Sequence, residues 1–93
     1  MGYLRYHIDL GGKRTTVSLD ETISCLLLFK LGSSPESEDA HQVVREWLQK
    51  LVDERKYKGR YRLSELSSSL REHAITYLVD KKLSQRYWDW CLQ

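Results

Sequence analysis

The feature that most constrains this chain is a helical segment with no polar face. In Asp20-Glu-Thr-Ile-Ser-Cys-Leu-Leu-Leu-Phe-Lys-Leu-Gly32, Ile23, Leu26, Leu27, Lys30 and Leu31 recur at helical spacing, while Cys25, Leu28 and Phe29 make the other faces apolar too. A helix that is apolar all round must be covered all round. A chain of 93 residues has little material with which to enclose it. Part of the cover is therefore expected from a second copy, which makes an obligate homodimer. The ends of the helix are marked by Asp20 as N-cap, Glu21 at the positive end of the dipole and Gly32 as the C′ stop.

The segments around this helix have clear periods. Lys13-Arg-Thr-Thr-Val-Ser-Leu19 alternates, with Val17 and Leu19 on one face and Arg14, Thr16 and Ser18 on the other, the pattern of a strand. Tyr3 to Leu10 alternates as well, placing Leu4, Tyr6, Ile8 and Leu10 opposite Tyr3, Arg5, His7 and Asp9. Gly11-Gly12 between them supplies positive φ at both centres of a tight turn and predicts a hairpin, the alternative being an extended N-terminal arm. After the loop Ser33-Ser-Pro-Glu-Ser37, a helix is predicted from Glu38, with Ala40, Val43, Val44, Trp47, Leu48, Leu51 and Val52 in one stripe. Ser69-Leu-Arg-Glu72 has the capping-box pattern of a third helix through Leu70, Ala74, Tyr77 and Leu78, or one beginning as early as Ser64, with Lys81 and Lys82 at its C-terminal end. Ser84 is placed to cap a last helix, Gln85 to Leu92. The fold class is α+β and mostly α.

Charge is informative in its distribution rather than its sum. The formal net charge is +2, so no global basic field dictates a nucleic-acid partner. Between Ser33 and Glu54, however, stand the acids Glu36, Glu38, Asp39, Glu46, Asp53 and Glu54 against the bases Arg45 and Lys50. Arg55 to Arg62 then carries Arg55, Lys56, Lys58, Arg60 and Arg62 with no acid, interleaved with Tyr57 and Tyr61, a composition suited to phosphate contact and base stacking, or to a solvated turn. No apolar run is long enough to span a bilayer and no signal-peptide pattern opens the chain, so no membrane partner and a cytoplasmic location are expected. Cys25 and Cys91 lack metal or disulfide-framework spacing and read as reduced thiols. No Gly-rich phosphate loop, metal-ligand spacing or activated nucleophile is present, so neither a cofactor nor a metal nor an enzymatic activity is expected.

The order strand, helix, helix, with Arg14-Thr-Thr-Val-Ser-Leu-Asp20 at the strand and Val43-Val-Arg-Glu-Trp-Leu48 in the second helix, resembles the ribbon-helix-helix family of DNA-binding proteins over residues 13–52. In that family two copies pair their strands antiparallel, the helices intertwine into one shared core, and the ribbon enters the major groove. The resemblance implies that Arg14, Thr16 and Ser18 meet base edges, and that Val17, Leu19, Ile23, Leu26, Leu27, Val44, Trp47 and Leu48 build the dimer core. It divides the chain into a dimerisation and DNA-binding core, 1–54, and a basic linker with helical extension, 55–93, within one compact domain. The family anchors phosphate at the N-terminus of its second helix. Here that end carries Glu36, Glu38 and Asp39, and the loop before it is long for the family. Lys13, Ser33, Ser34, Lys58 and Arg60 are the candidate phosphate contacts.

The leading expectation is thus a dimeric sequence-specific DNA-binding protein: a small repressor, an antitoxin or a plasmid-maintenance factor. A second reading is an interaction module whose core only dimerises, with Tyr87, Trp88 and Trp90 grasping another protein. A nuclease using His73 with Arg71 and Glu72 ranks last, because a helical histidine is explained more simply by packing or exposure.

Overall fold

A computed structural model of the chain describes residues 2–55 and 63–92. Strands β1 (Tyr3–Leu10) and β2 (Lys13–Asp20) form a two-stranded antiparallel sheet, followed by α1 (Glu21–Lys30), α2 (Ala40–Arg55), α3 (Leu63–Leu78) and α4 (Lys81–Cys91). The hairpin reading is the one observed. Gly11 and Gly12 have φ of 58° and 83°, the left-handed pair that a two-residue turn requires. The register runs from Leu10↔Lys13 to Tyr3↔Asp20. The strand that the family resemblance pairs with a second copy is therefore paired within its own chain.

Alternation sorts the sheet's faces as expected except at Leu4, which is exposed near the open end of the hairpin. Tyr6, Ile8, Leu10, Val17 and Leu19 are buried, and Arg5, His7, Arg14, Thr16 and Ser18 are exposed. The inward face is covered by α2 packed on β1 and α3 packed on β2, while α1 lies against both helices and the hairpin. The predicted stripe of α2 is realised: Val44, Leu48 and Val52 are buried, with Ala40, Val43, Trp47 and Leu51 packed against the core. The helix starts at Ala40 rather than Glu38, because the turns Ala40 N–H to Ser37 O and Val43 N–H to Asp39 O close its first bonds.

The cover of α1 differs from expectation. Ile23, Ser24, Leu27 and Leu28 are buried within one protomer, and of the apolar residues of α1 Leu26 and Phe29, at 48% and 61% exposure, are left on the surface. The cover comes from the hairpin, from α2 and from α3, whose Leu66, Leu70 and Ala74 enter the same core. Most of the residues assigned to a dimer core (Val17, Leu19, Ile23, Leu27, Val44 and Leu48) are thus enclosed by the chain itself, whereas Leu26 is exposed and Trp47 half-buried. At the C-terminal end of α1, Ser33 N–H bonds Leu28 O at 2.8 Å and Gly32 N–H bonds Phe29 O at 3.1 Å around Gly32 at φ 81°. That is a Schellman stop built on the glycine.

Three local signals were overridden. Asp20 occupies the N-cap position but makes no side-chain cap bond. Its carboxylate instead accepts from Arg71 Nε at 2.8 Å, tying α1 to α3. The Ser69–Glu72 capping-box pattern lies inside α3, because the buried stripe Leu66, Leu70 and Ala74 carries the helix through the serines. Lys81 and Lys82 open α4 rather than close α3, so Ser84 lies inside that helix instead of capping one that begins at Gln85. Asp80, a favoured N-cap type, stands just before them.

One polar pair lies inside the core. The Tyr6 hydroxyl donates to Ser24 Oγ at 3.0 Å, so the buried serine is satisfied. Burial pushes the Tyr6 phenol above its ordinary value, the Ser24 hydrogen bond pulling in the opposite sense and the nearby Cys25 adding a small upward push.

Candidate nucleic-acid interface

A two-residue hairpin makes Leu10 and Lys13 the hydrogen-bonded pair that closes the turn. The backbone groups of Arg5, His7 and Asp9 on β1, and of Arg14, Thr16 and Ser18 on β2, consequently point away from the partner strand. Such open edges invite pairing with other chains. Here the flanking helices cap them in part. Asp9 N–H donates to Gln49 Oε1 at 2.8 Å and Gln49 Nε2 donates back to Asp9 O at 3.0 Å, so one amide of α2 mimics a pairing strand. On the other edge, Ser18 N–H donates to Ser67 Oγ of α3 at 3.3 Å. A ribbon made from β2 of two copies would require α3 to leave this edge.

What remains open is the outward face. Arg14, Thr16 and Ser18 are exposed on it together, in the alternating positions read from the sequence. The hairpin register adds Arg5 opposite Ser18, His7 opposite Thr16 and Asp9 opposite Arg14. Thr16 Oγ1 and His7 Nδ1 lie 3.2 Å apart, a cross-strand hydrogen bond that orients both side chains. This face is polar apart from Tyr3 and carries Arg5 and Arg14 with hydrogen-bonding groups between them.

At one end of the ribbon, α2 contributes further groups. His7, Asp9, Arg14, His41 and Arg45 line a cleft of about 450 Å³ between the hairpin and the first turns of α2. His41 is placed by stacking on Tyr6, with ring centroids 4.5 Å apart and planes at 21°. Arg5, His7, His41 and Arg45 were missed as site residues. The spacing of His41 and Arg45, one turn apart on the polar side of α2, was visible in the sequence. Their approach to β1 was not.

The phosphate candidates fare differently. Lys13 is exposed beside the turn. Ser33 and Ser34 are half-buried in the α1–α2 connection, where Ser34 Oγ accepts Glu36 N–H at 3.3 Å and is committed to a local turn. Glu36, Glu38 and Asp39 are exposed in the turns just before α2. Lys58 and Arg60 lie outside the described residues, as do the side chains of Tyr87, Trp88 and Cys91. The Cys25 thiol is free. Trp90, at 68% exposure, and Leu83 stand in the solvent on α4.

Arg71, Glu72 and His73 do not line one site among the described residues. Arg71 is engaged by Asp20, and His73 is half-buried in a groove between α2 and α3 that Trp47 and Tyr77 also line. Consecutive helical positions leave the backbone in different directions, and of the three only His73 lines that groove. Among the described residues no cluster of His, Cys, Asp and Glu is arranged to hold a metal, and no helix is long and apolar enough to cross a membrane. In comparisons with known proteins, the chain matches no family model, no curated protein and no solved structure.

Proposed function

We propose that this chain is a sequence-specific double-stranded DNA-binding protein, acting as a small repressor, antitoxin or plasmid-maintenance factor, that lays the outward face of the β1–β2 hairpin in the major groove. The observation that carries this reading is the two-stranded ribbon with an outward face of Arg5, His7, Arg14, Thr16 and Ser18. A two-stranded ribbon fits the width of the B-DNA major groove; arginine matches guanine O6 and N7, and serine and threonine hydroxyls serve several base edges. The role is binding rather than catalysis. In this reading both strands of the ribbon come from one chain, and dimerisation uses another surface: Leu26 and Phe29, one turn apart on the exposed side of α1, are the apolar residues that a second copy would cover.

Fluorescence anisotropy on a selected site and on random duplexes, across a salt series, tests the reading. Binding to both at low salt, with a preference for the selected site that persists as salt rises, is the expected result. Binding to neither at low salt overturns it. One observation favours a second reading, an interaction module. Leu83 and Trp90 lie two turns apart on α4 and are both exposed, an apolar stripe without cover among the described residues. Loss of a bound protein on deletion of 84–93, in a chain that ignores DNA, would identify that role.

A further inference from the structure

The cleft at the end of the ribbon has the composition and preorganisation of an anion site. Two guanidinium groups, Arg14 and Arg45, and two imidazoles, His7 and His41, surround a single carboxylate, Asp9. The Asp9 backbone and both imidazoles are held from behind. The Gln49 amide grips both backbone groups of Asp9 and so sets α2 against the edge of β1. Tyr6, buried and hydrogen-bonded to Ser24, supplies the surface on which the His41 ring lies. Thr16 holds His7 across the hairpin. The donors of the two arginines are nevertheless unspent. Among the described residues neither Arg14 nor Arg45 forms an ion pair, and Asp9 is within ion-pair distance of neither. Glu46, the nearest acid in sequence to Arg45, is occupied by Gln42 Nε2 at 2.9 Å. No metal-binding cluster competes for the imidazoles among the described residues.

We propose that this cleft binds a phosphate group, with Arg14 and Arg45 as its charged donors and His7 and His41 as its walls. Planar guanidinium groups bind phosphate through paired hydrogen bonds. The site does not use the backbone N–H groups at the N-terminus of α2; it uses side chains from the first two turns of that helix, His41 and Arg45. The inference rests on the DNA-binding reading only for the source of the phosphate. Arg14 lies on both the ribbon face and the cleft wall, so a backbone phosphate beside the groove that receives the ribbon is within the same footprint. A free phosphorylated small molecule carries the same chemistry.

The test titrates the full chain with inorganic phosphate and, separately, with duplex DNA, following the imidazole resonances of His7 and His41 by NMR. Wild-type protein is compared with Arg45→Gln, Arg45→Lys and His41→Gln. Saturable shifts of both histidines on adding phosphate, lost in Arg45→Gln and retained in Arg45→Lys, are expected. If the duplex backbone is the source, Arg45→Gln weakens selected and random duplexes by the same factor and flattens the log–log salt slope by roughly 0.9, the value of one phosphate contact. Phosphate binding with no duplex binding at low salt would leave the cleft in place and remove the DNA reading. Duplex binding that is indifferent to Arg45→Gln, with no histidine shift in phosphate, would overturn the cleft and leave the DNA reading intact. Absence of any shift with either ligand would overturn the proposal outright.

Discussion

At the scale of single residues, the outward and inward sides of the hairpin make separable predictions. Arg14→Ala should cost about 1–3 kcal/mol on a selected duplex and relax its preference at one base pair, because a bidentate contact to guanine is lost. Anisotropy on single-base variants of the site would read this out, and an equal loss on every sequence would assign Arg14 to phosphate alone. Inside, Tyr6→Phe removes the hydroxyl that satisfies the buried Ser24. Leaving one buried partner unpaired costs about 1–3 kcal/mol, to be measured by urea unfolding. The same residue couples folding to alkaline pH. Its folded phenol titrates above the ordinary value of 10.0, chiefly through burial. The neutral form is therefore favoured in the folded state, and the unfolded chain loses its proton first. The contribution is complete below pH 10.0 and is lost as pH rises through the folded value. Unfolding free energy should fall with rising pH in that window for the wild type, and more shallowly for Tyr6→Phe.

At the scale of elements, turns and stops carry effects that contacts do not. A Cβ added at Gly12 or Gly32 meets nothing within 4 Å, yet both have positive φ. Gly12→Ala and Gly32→Ala should each destabilise by about 1–2 kcal/mol through backbone strain alone, visible as a lower urea midpoint with an unchanged slope. A larger loss would mean that the glycines are also packed. Among the helices, α1 is stapled to α3 twice. Arg71 pairs with Asp20, and Lys30 Nζ donates to Tyr77 O at 2.6 Å while lying 4.7 Å from the centre of the Tyr77 ring. The Arg71 pair is half-exposed and contributes less than about 1 kcal/mol. The apolar seam of Leu66, Leu70 and Ala74 therefore carries the packing of α3, and Leu70→Ala should cost about 2–5 kcal/mol.

At the scale of the whole molecule, the core among the described residues ends with α3. Among the described residues none beyond Ala74 is a buried apolar one, and Ile75 and Leu78 are the ones that pack against the core after it. Deleting 84–93 should consequently leave the hairpin and first three helices folded, with a cooperative thermal transition by circular dichroism. Aggregation of the truncated chain would show that α4 belongs to the core. Dimerisation is tested at the same scale. If a second copy covers Leu26 and Phe29, the melting midpoint should rise with protein concentration, and Phe29→Lys should abolish that dependence. Light scattering that finds a stable monomer at micromolar concentration, with a fixed midpoint, would remove the dimer from the proposal.

Much of the local structure was legible in the sequence because it depends on near neighbours. Period-two alternation sorted Tyr6, Ile8, Val17 and Leu19 from Arg14, Thr16 and Ser18; Gly11-Gly12 set the turn, Gly32 set the stop, and period 3.6 placed Val44, Leu48 and Val52 inward. Each is a consequence of backbone sterics or of side-chain geometry within a few residues. What only the tertiary structure decided is which surface meets which. The apolar belt of α1 required cover but could not specify its source, since burial is non-directional and α3 or a second copy satisfies it equally. Asp20 could cap a helix or pair with Arg71, and the distant partner prevailed. His41 and Arg45 read as an ordinary polar face of α2 until Gln49 joined that helix to the edge of β1 and brought them beside Arg14. Periodicity says which side of an element turns inward; it carries no information on which other element waits there, and the candidate site is built from that second fact.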